Sequence, residues 1–144
     1  MFVFFGLAAT CGTTFVLVGD VDSESLLGGV AIGCIACAAL LVNNIRDLAQ
    51  DRTVGKRTLS VLIGGTASKV LFGLLLLVPY AILLFLTFLY PAASLVFLTV
   101  LLAGPAVLIA VTGRTPKELI LALSLTGLTG LTYGVGLALA LALP

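Results

Sequence analysis

Long apolar runs separated by short polar breaks make up most of this chain. The runs cover residues 1–19, 26–45, 70–90, 92–112 and 119–143, each close to the ~20 residues that a helix needs to cross the hydrocarbon core of a bilayer. The third and fifth runs are apolar almost all round, so parts of each must face lipid rather than a protein core. The pattern predicts an all-α protein: a multi-pass transmembrane helix bundle of about five spans, forming a single domain over residues 1–144.

The breaks carry turn and cap signals. Asp20-Val21-Asp22-Ser23-Glu24-Ser25 is a short acidic loop in which Ser25 or Ser23 could cap the second helix. Tyr90-Pro91 is an uncharged turn, so the third and fourth spans form a hairpin, each interrupted by a proline, Pro79 and Pro105. Two stripes of small residues at four-residue spacing, Gly29-Gly33-Cys37 and Thr126-Gly130-Gly134-Ala138, suit close helix approach in lipid, where packing drives association. Tyr133 falls near the middle of the last run, and a buried phenol there needs a hydrogen-bond partner. A helix opening at Met1 without flanking residues predicts a natural chain that extends further upstream.

Composition narrows the function. The chain is 61% hydrophobic and 9% charged with a net charge of +1, so it has no polar surface for a soluble domain and no basic face for nucleic acid. The absence of His removes the usual general base and any Ser-His or Cys-His nucleophilic site. Cys34 and Cys37 form an isolated C-x-x-C inside an apolar run, which reads as small residues packing between helices rather than as a metal or redox site.

The positions of the charges then set a topology. Residues 46–69 carry five cations against two acids, and Arg114, Lys117 and Glu118 form a second basic loop. Loops rich in Lys and Arg stay cytoplasmic, which places the loop 46–69 and the Arg114 loop inside, with the Asp20 loop, the Tyr90 turn and Pro144 outside. The expected location is the cell membrane.

One stretch stands apart. Asn43-Asn44-Ile45-Arg46-Asp47-Leu48-Ala49-Gln50-Asp51-Arg52-Thr53-Val54-Gly55-Lys56-Arg57-Thr58-Leu59 holds four of the seven cations and two of the six acids. If the second helix runs through Val54 and ends at Gly55, a residue suited to the left-handed C′ position, then Asn43, Asp47 and Asp51 recur at i, i+4 and i+8. Successive members lie ~6 Å apart on one face. Two carboxylates so placed repel each other and oppose the helix dipole. Such breaches of local rules are where function is expected.

Three readings compete for this stripe: a solvated loop of ion pairs, an ion or proton pathway, and a divalent-cation site. Mg²⁺ prefers oxygen ligands and is usually held by one or two carboxylates plus substrate phosphates. Asn43, Asp47 and Asp51 offer oxygens, and Lys56 and Arg57 offer charge for a diphosphate.

The string N-N-I-R-D-L-A-Q-D-R-T-V-G-K-R-T-L resembles the second aspartate-rich motif of the UbiA-type intramembrane prenyltransferases. Within that superfamily it is most similar to the branch acting on 1,4-dihydroxy-2-naphthoate in menaquinone biosynthesis, with its N-N-x-R-D-x-x-x-D-x-x-x-G-K-x-T-L run. The resemblance implies the second half of a nine-helix bundle. It also implies Mg²⁺-dependent transfer of a polyprenyl group from polyprenyl diphosphate to an aromatic acceptor of the dihydroxynaphthoate kind. By motif position Asp47 and Asp51 would be metal ligands and Asn43 a supporting one, with Asn44, Arg46, Lys56 and Arg57 contacting the diphosphate.

The family clamps its diphosphate between two aspartate-rich motifs, and this chain has one. Asp20, Asp22 and Glu24 lack the N-D-x-x-D spacing and fall on the other side by the charge rule. The expectation is therefore a C-terminal half, inactive alone, whose missing partner is an N-terminal half carrying the first motif. The alternatives are another aromatic prenyltransferase, of the 4-hydroxybenzoate, haem or chlorophyll type, and half of a transporter or structural subunit whose polar stripe lines a pore. The CDP-alcohol phosphatidyltransferases need a D-x-x-D-G-x-x-A-R lead that is absent around Asp47.

Overall fold

A computed structural model describes residues 1–113 and 115–142 of the chain; Arg114, Leu143 and Pro144, which the topology and span assignments above include, lie outside the described residues. The described residues form helices joined by turns, with no strand. In order these are α1 (Phe2–Val18), α2 (Ser23–Arg46), α3 (Leu48–Thr53), α4 (Leu59–Ile63), α5 (Gly65–Thr87), α6 (Pro91–Thr112) and α7 (Pro116–Ala142). Four of them, α2, α5, α6 and α7, are long and apolar enough to cross a membrane, and α1 is a shorter apolar helix. The stretch 46–69, read from sequence as a loop, contains α3, α4 and the first turn of α5.

The sequence explains where the helices start. Asp22, not Ser23 or Ser25, caps α2: its carboxylate accepts the Ser25 backbone N–H at 2.8 Å and the Ser25 hydroxyl as well. Asp takes the role because its side-chain oxygen reaches the N3 amide, while Ser25 is itself at N3. After the turn at Tyr90, Pro91 opens α6, where its missing N–H costs nothing. The first nine residues of α6, Pro91–Thr99, form a tighter 3₁₀ helix before α geometry begins at Val100.

α2 is the central helix. Half of its apolar window is buried inside the protein, against 28% for each of α5, α6 and α7. Its small-residue stripe meets α1 at backbone distance: a Cβ on Gly6 would fall 2.5 Å from the Gly29 carbonyl oxygen and 2.6 Å from the Gly33 Cα. Close approach of this kind requires glycine on both sides. The stripe on α7 faces α2 in turn, with a Cβ on Gly130 only 3.1 Å from Ile35 and one on Gly134 at 3.4 Å from Ile32. The outer faces of α5 and α7 carry exposed Leu74, Leu77, Leu84, Leu128, Leu131 and Leu139, an apolar girdle fit for lipid and not for water.

Polar ties cross the bundle where its interior is driest. The fully buried Tyr133 of α7 donates its hydroxyl to the Pro79 carbonyl of α5 at 2.8 Å, which is the partner expected for a phenol at that depth. Tyr80, one residue on, meets Tyr133 edge to face at a centroid distance of 6.1 Å and pairs with the Thr99 hydroxyl of α6 at 3.0 Å. At the motif end, Lys69 of α5 donates to the Val111 carbonyl at 2.8 Å and to that of Gly113 at 3.4 Å. These are free carbonyls at the end of α6, where a cation also complements the helix dipole.

Candidate active site

The chain does not run as one helix from Ser23 to Val54. α2 stops at Arg46 and Asp47 sits with φ −91° and ψ 3°, in the sparsely populated bridge region between helix and strand. The i→i−4 hydrogen bonds nevertheless continue through the break, from the Asp47 N–H to the Asn43 carbonyl at 3.1 Å and from the Asp51 N–H to the Asp47 carbonyl at 2.8 Å. The backbones of Asn43, Asp47 and Asp51 therefore keep their i, i+4, i+8 relation across a local bend.

α3 ends in a left-handed glycine turn. Gly55 has φ 70°, its N–H points to the Arg52 carbonyl at 3.4 Å, and the Lys56 N–H bonds the Asp51 carbonyl at 2.9 Å. This pair of bonds is a Schellman arrangement, which satisfies the last carbonyls of a helix and reverses the chain. The reversal carries the Lys56 side chain back to Asp51, where Nζ and Oδ1 are 3.2 Å apart.

The two carboxylates then differ in kind. Asp47 lies at the half-buried edge, and both of its oxygens are taken by the Arg46 guanidinium, Nε to Oδ1 at 2.7 Å and Nη2 to Oδ2 at 2.8 Å. These hydrogen bonds hold the Asp47 carboxyl below the usual carboxylate range, against an opposing effect of partial burial. Asp51 is buried, with 5% of its surface exposed. One oxygen meets Lys56, and Oδ2 has no hydrogen-bond partner among the described residues.

A buried carboxylate oxygen left unmade is costly. The pairing with a cation matches the ion-pair reading for Asp47 and Asp51 alike; the burial of Asp51 and its unpartnered Oδ2 do not match a solvated loop. Asn43 and Asn44 are half-buried beside them with no side-chain hydrogen bond among the described residues, and Arg57 is exposed. Asp51 Oδ2 and the two asparagine amides are thus among the uncommitted hard oxygens at this end, the donor type that suits Mg²⁺. Among the described residues no three His, Cys, Asp or Glu side chains gather into a metal cage. A site of this kind needs substrate oxygens to complete it.

Sequence reasoning passed over two further residues. The hydroxyls of Thr58, at the cap of α4, and Ser60, in its first turn, are buried and also lack partners among the described residues. α4 lies against α3 and α2, so three unsatisfied polar atoms fall on the single segment from Asp51 to Ser60. The only signal for them in the sequence was a pair of hydroxyl residues following the glycine turn.

The profile of the UbiA prenyltransferase family matches residues 1–119. The chain is 36% identical over 146 residues to a 1,4-dihydroxy-2-naphthoate octaprenyltransferase of Mycobacterium tuberculosis, covering 99% of this chain and 49% of that protein. A protein of the same description from Mycobacterium leprae is 31% identical over 147 residues, with the same coverage of 99% and 49%. The mouse UbiA prenyltransferase domain-containing protein 1 is 40% identical over 78 residues, 54% of this chain and 23% of that protein. The chain thus spans about half the length of the curated relatives it matches end to end. No solved structure matches it.

Proposed function

Because the chain belongs to the UbiA prenyltransferase family, we propose that it forms one side of a divalent-metal-dependent site for transferring a polyprenyl group from polyprenyl diphosphate to an aromatic acceptor of the 1,4-dihydroxy-2-naphthoate type. The observation that carries this reading is Asp51: a buried carboxylate with one uncommitted oxygen, at the polar end of an apolar bundle. Asp47, Asp51 and Asn43 would hold Mg²⁺, whose charge supports departure of the diphosphate.

The chain's own residues supply the rest. Arg46 presents a fork that fits phosphate as well as carboxylate, so on diphosphate binding it can leave Asp47, freeing that carboxylate to turn inward. Lys56 and Arg57, exposed beside the glycine turn, and the Asn44 amide add donors for the diphosphate oxygens. The apolar helices exclude water from the allylic cation formed as the diphosphate leaves. A second aspartate-rich motif contributed from outside these 144 residues would complete the clamp. The excess of cations at this end supports a cytoplasmic position in the cell membrane.

The test is a chimera in which this chain replaces the matching segment of the Mycobacterium tuberculosis relative. In membranes with Mg²⁺, the chimera should prenylate 1,4-dihydroxy-2-naphthoate, and Asp47→Asn or Asp51→Asn should each abolish turnover without loss of membrane insertion. Full activity in both variants would remove the carboxylates from the site. An inserted chimera inactive on every aromatic acceptor offered would remove the activity itself.

A further inference from the structure

Beside α3, on a face that does not include Asp51, is an open cavity of about 380 Å³ lined by the end of α2, α3, the start of α5 and the start of α7. Among the described residues its cationic lining is Arg46, Arg52 and Lys69, no acid lines it, and Ile45 and Leu119 are part of its apolar lining. With ~3.6 residues per turn, Asp51 sits roughly 100° around the helix axis from the centre of the face formed by Leu48, Ala49 and Arg52. The carboxylate site and the cavity thus occupy different faces of the same short helix.

The cations differ in how far their charge is already met. Arg46 is held by Asp47. Among the described residues Lys69 bonds only carbonyl oxygens, which engage two of its three donors and leave its full charge in place. Arg52 has no acidic partner among the described residues. Gly65, which also lines the cavity, is the first residue of a 23-residue helix with no side-chain cap, so free backbone N–H groups and the positive end of a helix dipole lie at the same place. Two uncompensated cations, an uncapped long-helix start and an apolar floor at the end of a membrane bundle match the basic interhelical pockets that take anionic head groups.

We propose that this cavity is a second phosphate-binding site, bordered by Arg46 of the aspartate motif but not lined by Asp47 or Asp51, taking the phosphate of an acidic lipid head group or a soluble phosphate. The apolar floor suits the glycerol and first chain carbons of a lipid whose phosphate meets Arg52 and Lys69.

The experiment uses the purified chain in neutral detergent, stripped of lipid, with retention followed by native mass spectrometry as phosphatidylglycerol, phosphatidylcholine or inorganic phosphate is added. Phosphatidylglycerol should be retained about ten-fold over phosphatidylcholine. Arg52→Gln should weaken retention about five-fold, the equivalent of the ~1 kcal/mol that one cation contributes near a membrane surface. Lys69→Gln should weaken it at least as much, but it also uncaps α6, so Arg52→Gln carries the conclusion. Lys117→Gln removes a cation that does not line the cavity and should change nothing. If millimolar inorganic phosphate binds the wild type, displaces phosphatidylglycerol and loses this effect in Arg52→Gln, the site stands and its ligand is a soluble phosphate. Equal retention of the two lipids with no phosphate binding, or equal losses in Arg52→Gln and Lys117→Gln, would overturn the proposal in favour of general surface charge.

Discussion

Replacing Asp51 by Asn separates a residue kept for binding from one kept for stability. The Asp51 side chain is 7% exposed and its ion-pair partner Lys56 is 61% exposed. A pair with one solvated end contributes about 0–1 kcal/mol. The Oδ2 atom, buried and without a partner, costs about 1–3 kcal/mol. The carboxylate is therefore a net liability to the metal-free fold. Asparagine keeps an oxygen for Lys56 and places a neutral amide where the unpaired charged oxygen was, so Asp51→Asn should stabilise the metal-free chain by roughly 1 kcal/mol.

Mg²⁺ should reverse the order. A ligand present at ten times its dissociation constant adds about 1.4 kcal/mol to a protein that binds it only when folded, and Asn, lacking the charge, should gain little of this. Unfolding of the chain by SDS in mild detergent, followed by circular dichroism in EDTA and again in saturating Mg²⁺, reads both quantities. The expected result is Asn above Asp in EDTA, with the difference erased or inverted in Mg²⁺. An Asn variant that is less stable in EDTA, or that keeps the full response to Mg²⁺, would show that Oδ2 is not held in reserve for a cation.

Other outcomes follow from the same geometry. Because Arg46 lowers the folded-state pKa of Asp47, the stability from that pair is complete above the unfolded carboxylate value of about 3.9 and is lost as pH falls through the lower folded value; unfolding midpoints should hold steady down to about pH 4 and then drop more in wild type than in Asp47→Asn. Gly6→Ala would push a Cβ to 2.5 Å from the Gly29 carbonyl oxygen and should cost about 1–3 kcal/mol. Gly12→Ala in the same helix meets nothing within 4 Å and should be neutral or stabilising, so equal SDS midpoints for the two would contradict the close α1–α2 contact. Tyr133→Phe removes the 2.8 Å bond to the Pro79 carbonyl with almost no change in volume and should cost about 0.5–1.5 kcal/mol, read as a lower thermal midpoint with unchanged helix content.

What the sequence made legible is what depends on period and composition. The apolar runs announced the long helices because a bilayer imposes one length on every span. The stripes at Gly29 and Gly130 announced the faces on which α1 and α7 meet α2, because only small residues permit that approach. The left-handed turn at Gly55 was readable for the same local reason. The cap of α2 falls on Asp22 rather than on a serine because Asp22, Ser23 and Ser25 all favour capping, and only the backbone path decides which side chain faces the N3 amide. Nothing local foretold the break at Asp47 or the two short helices within 46–69. In both places the chain follows tertiary packing of α3 and α4 against the bundle rather than its own propensity.

The same distinction explains why the motif was visible while the unequal roles of its carboxylates were not. Spacing places Asp47 and Asp51 one turn apart and makes them look equivalent. Their difference comes from what each meets. Arg46 precedes Asp47 directly and, at the edge of the bundle, can satisfy both of its oxygens, whereas Asp51 faces inward and is reached only by a lysine that the glycine turn brings back over it. Asp51 is thus fixed in place and half satisfied, while Asp47 is satisfied by a partner whose fork fits phosphate equally well. Substrate diphosphate would then act on the two residues differently, drawing Arg46 away from Asp47 while Asp51 stays where the fold holds it. One carboxylate is set by burial and the other by its pairing with Arg46, so loss of Arg46 should unsettle Asp47 alone.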